Sequence, residues 1–241
     1  MAEKTGRWVR GETRAALASS GRTRASTRLA VVTGSLLAFA APAVGQSSAS
    51  GKAGPRKVLD RDHETALALS AAPPAVSADA SVLLWTGSTF ETAREGTNGV
   101  TCYVARSWPK SLEPHCFDEE GTRTILPIHM RQTELQHQGL SEKEIEDEIA
   151  RGIASGEFRL PTRPVLSYMM SEGQELISDD GRAAGNWMPH LMIYYPYLSQ
   201  QDLGLGSTPS TEAAIVVDPG TPLSNIMIVV RDFAEVGGGG G

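Results

Sequence analysis

The sequence predicts an α+β domain with a mostly antiparallel sheet, a central helical hairpin and one short N-terminal helix. Three observations predict it. Short β-branched and aromatic runs bounded by Gly, Asn and Asp turns occupy both ends of the foldable region. Two helical patterns with complete start and stop signals lie between them. No internal repeat and no second linker divides the stretch.

The chain has 241 residues, 40% of them hydrophobic and 21% charged, with a net charge of -6. This is the composition of an ordinary globular protein, not of a collagen, a coiled coil or a disordered chain. The charge is unevenly placed. Residues 1–28 carry seven Lys/Arg against Glu3 and Glu12, a balance of +5 that leaves -11 for the remainder. An uncharged run from Leu29 to Ala41 follows, then Pro42, Ala43, Val44 and Gly45. A basic start, an apolar core shorter than the ~20 residues of a membrane span and small residues at the exit form a secretory signal peptide. The expected cut follows Gly45, with Ala43 as the near alternative, so residues 1–45 are the leader. The absence of an Arg-Arg pair favours the general secretory route. An uncleaved anchor would share the charge asymmetry, but Gly34 and Pro42 interrupt an already short run. Export places the protein outside the cell or in the periplasm, with no stable membrane span after cleavage.

Residues 46–57 are rich in Ser, Gly, Ala and Lys and read as a flexible linker. Residues 58–236 form the domain, and 237–241 are a glycine tail that cannot pack. Asp60 or Asp62 caps a short helix through Leu69, which Pro73-Pro74 stops. Strands are expected at Ser81–Trp85, Phe90–Arg94 and Val100–Arg106. Asn98-Gly99 between the last two is a hairpin signal, so this part should be an antiparallel meander. Helices follow at about 128–138 and 142–155. The second has Ser141 as N-cap, Glu144 to close the capping box, Leu140 and Ile145 as a hydrophobic staple, and Gly156 to end it. Ile145, Ile149 and Ile153 give it one apolar stripe. Strands return at Val165–Met170, Glu175–Ile177, Leu191–Tyr195, Ala213–Val217 and Asn225–Arg231.

The only cysteines, Cys102 and Cys116, close a loop of 15 residues in the exported part. A structural disulfide is expected in an oxidising compartment. Asp118, Glu119 and Glu120 beside Cys116 argue against a reactive thiol, which needs electropositive surroundings.

Motifs that would fix a reaction are incomplete. His63-Glu64-Thr65-Ala66-Leu67 has Leu67 where a zinc protease needs its second His. Ser107-Trp108-Pro109-Lys110 matches Ser-x-x-Lys, but Pro109 opposes the helix that motif requires and its companion motifs are missing. There is no nucleophile elbow, Walker loop or dinucleotide fingerprint, so no cofactor is implied. His129 and His137 stand about 80° apart around a helix, and no histidine has metal-ligand spacing. A charge of -11 in the mature chain excludes nucleic acid and anionic lipid as expected partners.

Two segments can present chemistry to a ligand. The turn 94–99 brings Thr97 and Asn98 together with a charge pair. The segment 187–197 alternates so that His190, Met192 and Tyr194 share one face, with Trp187, Tyr195 and Tyr197 nearby. Tyr, Trp and His combine apolar bodies with polar tips, as binding clefts require, although a half-wet core boundary uses the same residues.

Several stretches resemble a family of uncharacterised secreted bacterial proteins. They are Arg94 to Cys102 (REGTNGVTC), Pro114 to Pro127 (PHCFDEEGTRTILP), Gly156 to Pro164 (GEFRLPTRP) with Tyr168-Met169-Met170, and Pro189 to Tyr197 (PHLMIYYPY) with Asp202-Leu203-Gly204. The resemblance covers most of the mature domain and leaves out the leader and the glycine tail. It implies export and one coherent domain and carries over no catalytic residue. The functional expectation is a non-enzymatic exported domain that binds a small molecule or an envelope component through Trp187, Tyr194, Tyr195 and Tyr197. The alternative is a periplasmic hydrolase assembled from separated loops, with His190 as base and Thr97, Asn98 or a Tyr as partner.

Overall fold

An eight-stranded sheet with helices on both faces organises the chain in a computed structural model. The described residues are 56–178, 181–183, 188–204 and 214–234. Every described residue belongs to one compact unit, residues 47–241. The leader, most of the linker, Trp187 and the glycine tail lie outside the described residues.

The helices are α1 (Arg61–Leu69), α2 (Pro74–Ser77), α3 (Glu119–Gln138) and α4 (Glu142–Ser155). The strands are β1 (Ser81–Trp85), β2 (Phe90–Arg94), β3 (Thr101–Ala105), β4 (Glu113–Phe117), β5 (Val165–Met169), β6 (His190–Tyr194), β7 (Ile215–Val217) and β8 (Asn225–Val229). Their order across the sheet is β2-β1-β3-β4-β5-β6-β8-β7, antiparallel throughout except for the parallel pair β1 and β3. The α+β class and the helical hairpin are therefore as the sequence indicates.

Four local expectations are corrected. Asn98-Gly99 does not close a hairpin, because β1 lies between β2 and β3. The 95–100 segment instead crosses the start of β1. Thr97 N donates to Asp79 O, Ser81 N donates to Val100 O, and Arg94 donates to the Ala80 and Ser77 carbonyls. The crossing is so close that a Cβ on Gly96 would lie 2.2 Å from Ser81 N, so only glycine fits.

The second correction concerns α3, which starts at Glu119 and contains Pro127 within it. Asp118 caps it by accepting from Gly121 N, and Glu119 and Glu120 suit the positive end of the dipole. Packing of Ile125, Leu126 and Ile128 into the core compensates the hydrogen bond that Pro127 removes. Third, β4 was not expected, because Glu113, Pro114 and His115 are poor strand formers; its burial on both faces overrides propensity. Fourth, Glu175 and Ile177 form only isolated bridges, to Leu112 and Ala183.

Alternation along β3 and β4 divides the interior. Cys102, Val104 and Cys116 point towards α1, where they pack with Leu67, Ala68, Val82 and Leu112. Tyr103, Ala105 and Phe117 point towards α3 and pack with Trp85, Phe90, Ile125 and Val165. Cys102 and Cys116 stand directly opposite each other in the β3–β4 register and form a disulfide. A third cluster joins Ile128 and Leu135 of α3 to Ile145 and Ile149 of α4, with Leu140 packed beside them. The capping box of Ser141 and Glu144 is present, and Gly139 (φ 96°) makes the left-handed turn between the two helices.

An ion pair fastens the α1 side. Arg106 and Glu64 are fully buried and 2.7 Å apart. Arg106 also donates to the Lys57 and Val104 carbonyls, while Glu64 accepts from Trp85 N. Arg56 reaches the Arg106 carbonyl, so residues 56 and 57 are anchored to the domain.

Candidate functional site

On the α3 face the sheet extends beyond the helix, and the uncovered part is a hollow of about 380 Å³. Its polar walls come from five elements. β3 supplies Tyr103, β4 supplies Glu113 and His115, α3 supplies His129, β6 supplies His190 and Tyr194, and β8 supplies Asn225. Period-two alternation explains the strand residues: His190, Met192 and Tyr194 share one face, as do Glu113 and His115. His129 lies on the side of α3 that faces these strands, touching Tyr103, His115, Phe117 and Tyr194.

The rings form a connected set. Tyr103 Oη lies 3.1 Å from His129 Nδ1. His115 and His129 meet edge to face with centroids 6.1 Å apart, and His129 meets Tyr194 at 5.8 Å. His115 Nδ1 is 3.3 Å from Ser167 Oγ, a hydroxyl that is completely buried. His190 Nδ1 is 2.9 Å from the Met188 carbonyl. A carbonyl only accepts, so Nδ1 is the protonated nitrogen and Nε2 is the basic one in the neutral ring.

Desolvation sets the charge state. Burial lowers the His129 pKa to about 4. Burial, aided by the neighbouring His129 and His190, holds His115 well below the ordinary imidazole value. His190 is also lowered by burial, against the opposing pull of the Met188 carbonyl. Tyr103 and Tyr194 are raised by burial, so both keep their protons. Burial also raises Glu113, opposed by hydrogen bonds from Ser107 N and Oγ, and it raises Asp218 at the rim.

At neutral pH the hollow therefore shows uncharged imidazoles and phenols bordered by carboxyl groups. Arg106 is the one cation among its described lining residues, and its guanidinium is already engaged by Glu64 and two carbonyls. Among the described residues no group of three His, Cys, Asp or Glu is arranged to hold a metal ion.

A second hollow of about 530 Å³ adjoins the first, between α4 and the 218–223 loop. The two share Gln132, Gln136, Asp218 and Leu223. The larger one is lined by the Ile145, Ile149 and Ile153 stripe and has no histidine or tyrosine among its described lining residues, so the chemistry resides in the smaller.

The residues singled out by sequence are dispersed. His190 and Tyr194 both line the hollow, 4% and 2% exposed. Tyr195 and Tyr197 are 50% and 57% exposed on the loop after β6 and do not line it. Thr97 and Asn98 belong to the crossing loop, where Asn98 Nδ2 donates to Val76 O and its Oδ1 accepts from Val100 N. Sequence reasoning missed Tyr103, Glu113, His115, His129 and Asn225 as a group. The available signal was alternation in the segment 113–117, obscured by its proline.

No helix among the described residues is long and apolar enough to cross a membrane. Comparison with protein families, with curated proteins and with solved structures yields no match.

Proposed function

We propose that this is an exported domain that binds a small uncharged or cationic molecule, by hydrogen bonds and ring contacts, in the hollow between α3 and β3–β8. The observation that carries the reading is the convergence of His115, His129, His190, Tyr103 and Tyr194 in one recess of small-molecule size. Desolvated titratable groups are costly to maintain in a core unless something uses them. The leader supports export, and the acidic border with its engaged Arg106 argues against an anionic ligand.

The test is a screen of neutral, cationic and anionic small molecules, followed through the imidazole resonances of the three histidines. Neutral or cationic compounds should shift them, and Tyr103→Phe and His129→Gln should each weaken binding by about tenfold, roughly one hydrogen bond and its packing. The reading fails if no compound moves an imidazole, or if anions bind best.

The hydrolase alternative keeps one favourable observation, the fixed tautomer of His190 with its basic Nε2. Thr97 and Asn98 do not line the hollow with it, and Ser167, beside His115, is buried. Ester hydrolysis that is abolished by His190→Gln would favour the alternative.

A further inference from the structure

The lining of the His–Tyr hollow includes an acceptor with no donor among the described residues. Asn225 is 2% exposed and donates from Nδ2 to the Leu223 carbonyl at 3.2 Å. Its Oδ1 is buried without a hydrogen-bond partner among the described residues. An amide oxygen left in that state costs about 1–3 kcal/mol, and a side-chain adjustment that turns it to the hollow would let a ligand O–H or N–H recover it. Asn225 lines the His–Tyr hollow, and Leu223, which holds its amide in place, lines both hollows. Past Leu223 the lining becomes aliphatic, with Ile145, Ile149, Ala150 and Ile153 of α4 facing Pro222. Glu142, Glu146 and Asp218 make the border acidic.

We infer that the ligand is an amphiphile: its head donates a hydrogen bond to Asn225 Oδ1, and its apolar tail runs between α4 and the 218–223 loop. This rests on the reading of the His–Tyr hollow as the ligand site and names the class of molecule it takes. A carboxylate head is disfavoured, because it lacks a donor at neutral pH and meets a carboxylate border. A tail-less polar molecule would leave the aliphatic recess unused.

Four probes separate these elements: monodecanoylglycerol, methyl decanoate, decanoate and glycerol, each added as monomer below its micelle concentration to the mature protein. Imidazole resonances of His115, His129 and His190 report occupancy. Monodecanoylglycerol should bind about tenfold or more tighter than each of the other three, the scale of one hydrogen bond or a buried tail. Asn225→Leu should erase its advantage over methyl decanoate, a readout that a change in stability alone does not move. Ala150→Phe, at an exposed position on α4, should weaken monodecanoylglycerol and leave the unfolding midpoint in place.

Equal affinity for decanoate or methyl decanoate would overturn the inference, as would an unaltered affinity in Ala150→Phe or no binding of monodecanoylglycerol. Glycerol or another tail-less neutral compound binding as tightly as monodecanoylglycerol would overturn the amphiphile while leaving the small-molecule reading in place.

Discussion

The two faces of β3 and β4 use alternate residues of the same ten positions for opposite ends. Towards α1 they present Cys102, Val104, Pro114 and Cys116, a dry layer crossed by a disulfide. Towards α3 they present Tyr103, Glu113, His115 and Phe117, and all but the last carry a titratable group buried without a salt bridge among the described residues. The difference shows that burial alone does not make a core. One face gains stability from apolar contact and covalent closure. The other gives up stability to keep polar, hydrogen-bonding groups dry beside a recess.

Variants can break or sharpen that division. The largest effect should come from Glu64→Ala, which leaves Arg106 buried without its counter-charge. A loss of about 3–5 kcal/mol is expected in urea unfolding. Replacing Cys102 and Cys116 together by alanine should cost about 3 kcal/mol, read the same way, because the bond closes a 15-residue loop.

The polar face should respond to pH instead. All three buried imidazoles are less basic folded than unfolded, so the unfolded chain takes up protons first. Their contribution is complete above about pH 6.5 and falls as the pH drops towards 4, where His129 itself protonates. For His129 alone this is on the order of 3 kcal/mol. Glu113 and Asp218 are raised by burial and act in the opposite sense, which makes the net slope shallower. An unfolding midpoint that is flat between pH 7 and 4.5 would refute this account, and His129→Gln should flatten it in part. The smallest effect on stability belongs to Tyr103→Phe, about 1 kcal/mol for the hydrogen bond to His129, beside the roughly tenfold loss of binding expected above.

Much of the fold was legible in sequence because its signals are local. β1 and β2 fall where β-type runs and turns placed them, and α4 starts after Ser141 because a capping box is a four-residue pattern. Pairing is not local. Asn98-Gly99 marks a tight reversal, but nothing in those residues says which strand lies beyond it, and β1 intervenes. The candidate site divided in the same way. Alternation placed His190 and Tyr194 on one face. Tyr103, His115, His129 and Asn225 come from four separate elements, and one of these, β4, was concealed by Pro114. Their meeting depends on strand order, which a hydropathy pattern does not contain.

The rims of the sheet have a consequence for self-association. An open sheet can recruit any extended chain along its outer strands and so seed aggregates. Here the outer strands are β2 and β7. β7 is three residues long, too short to template much of a ladder. β2 exposes Glu91 and Thr92, and its register against β1 slips between Val82 and Leu83. A polar, irregular rim at one end and a stub at the other let eight strands remain an open sheet without inviting a ninth from a neighbour.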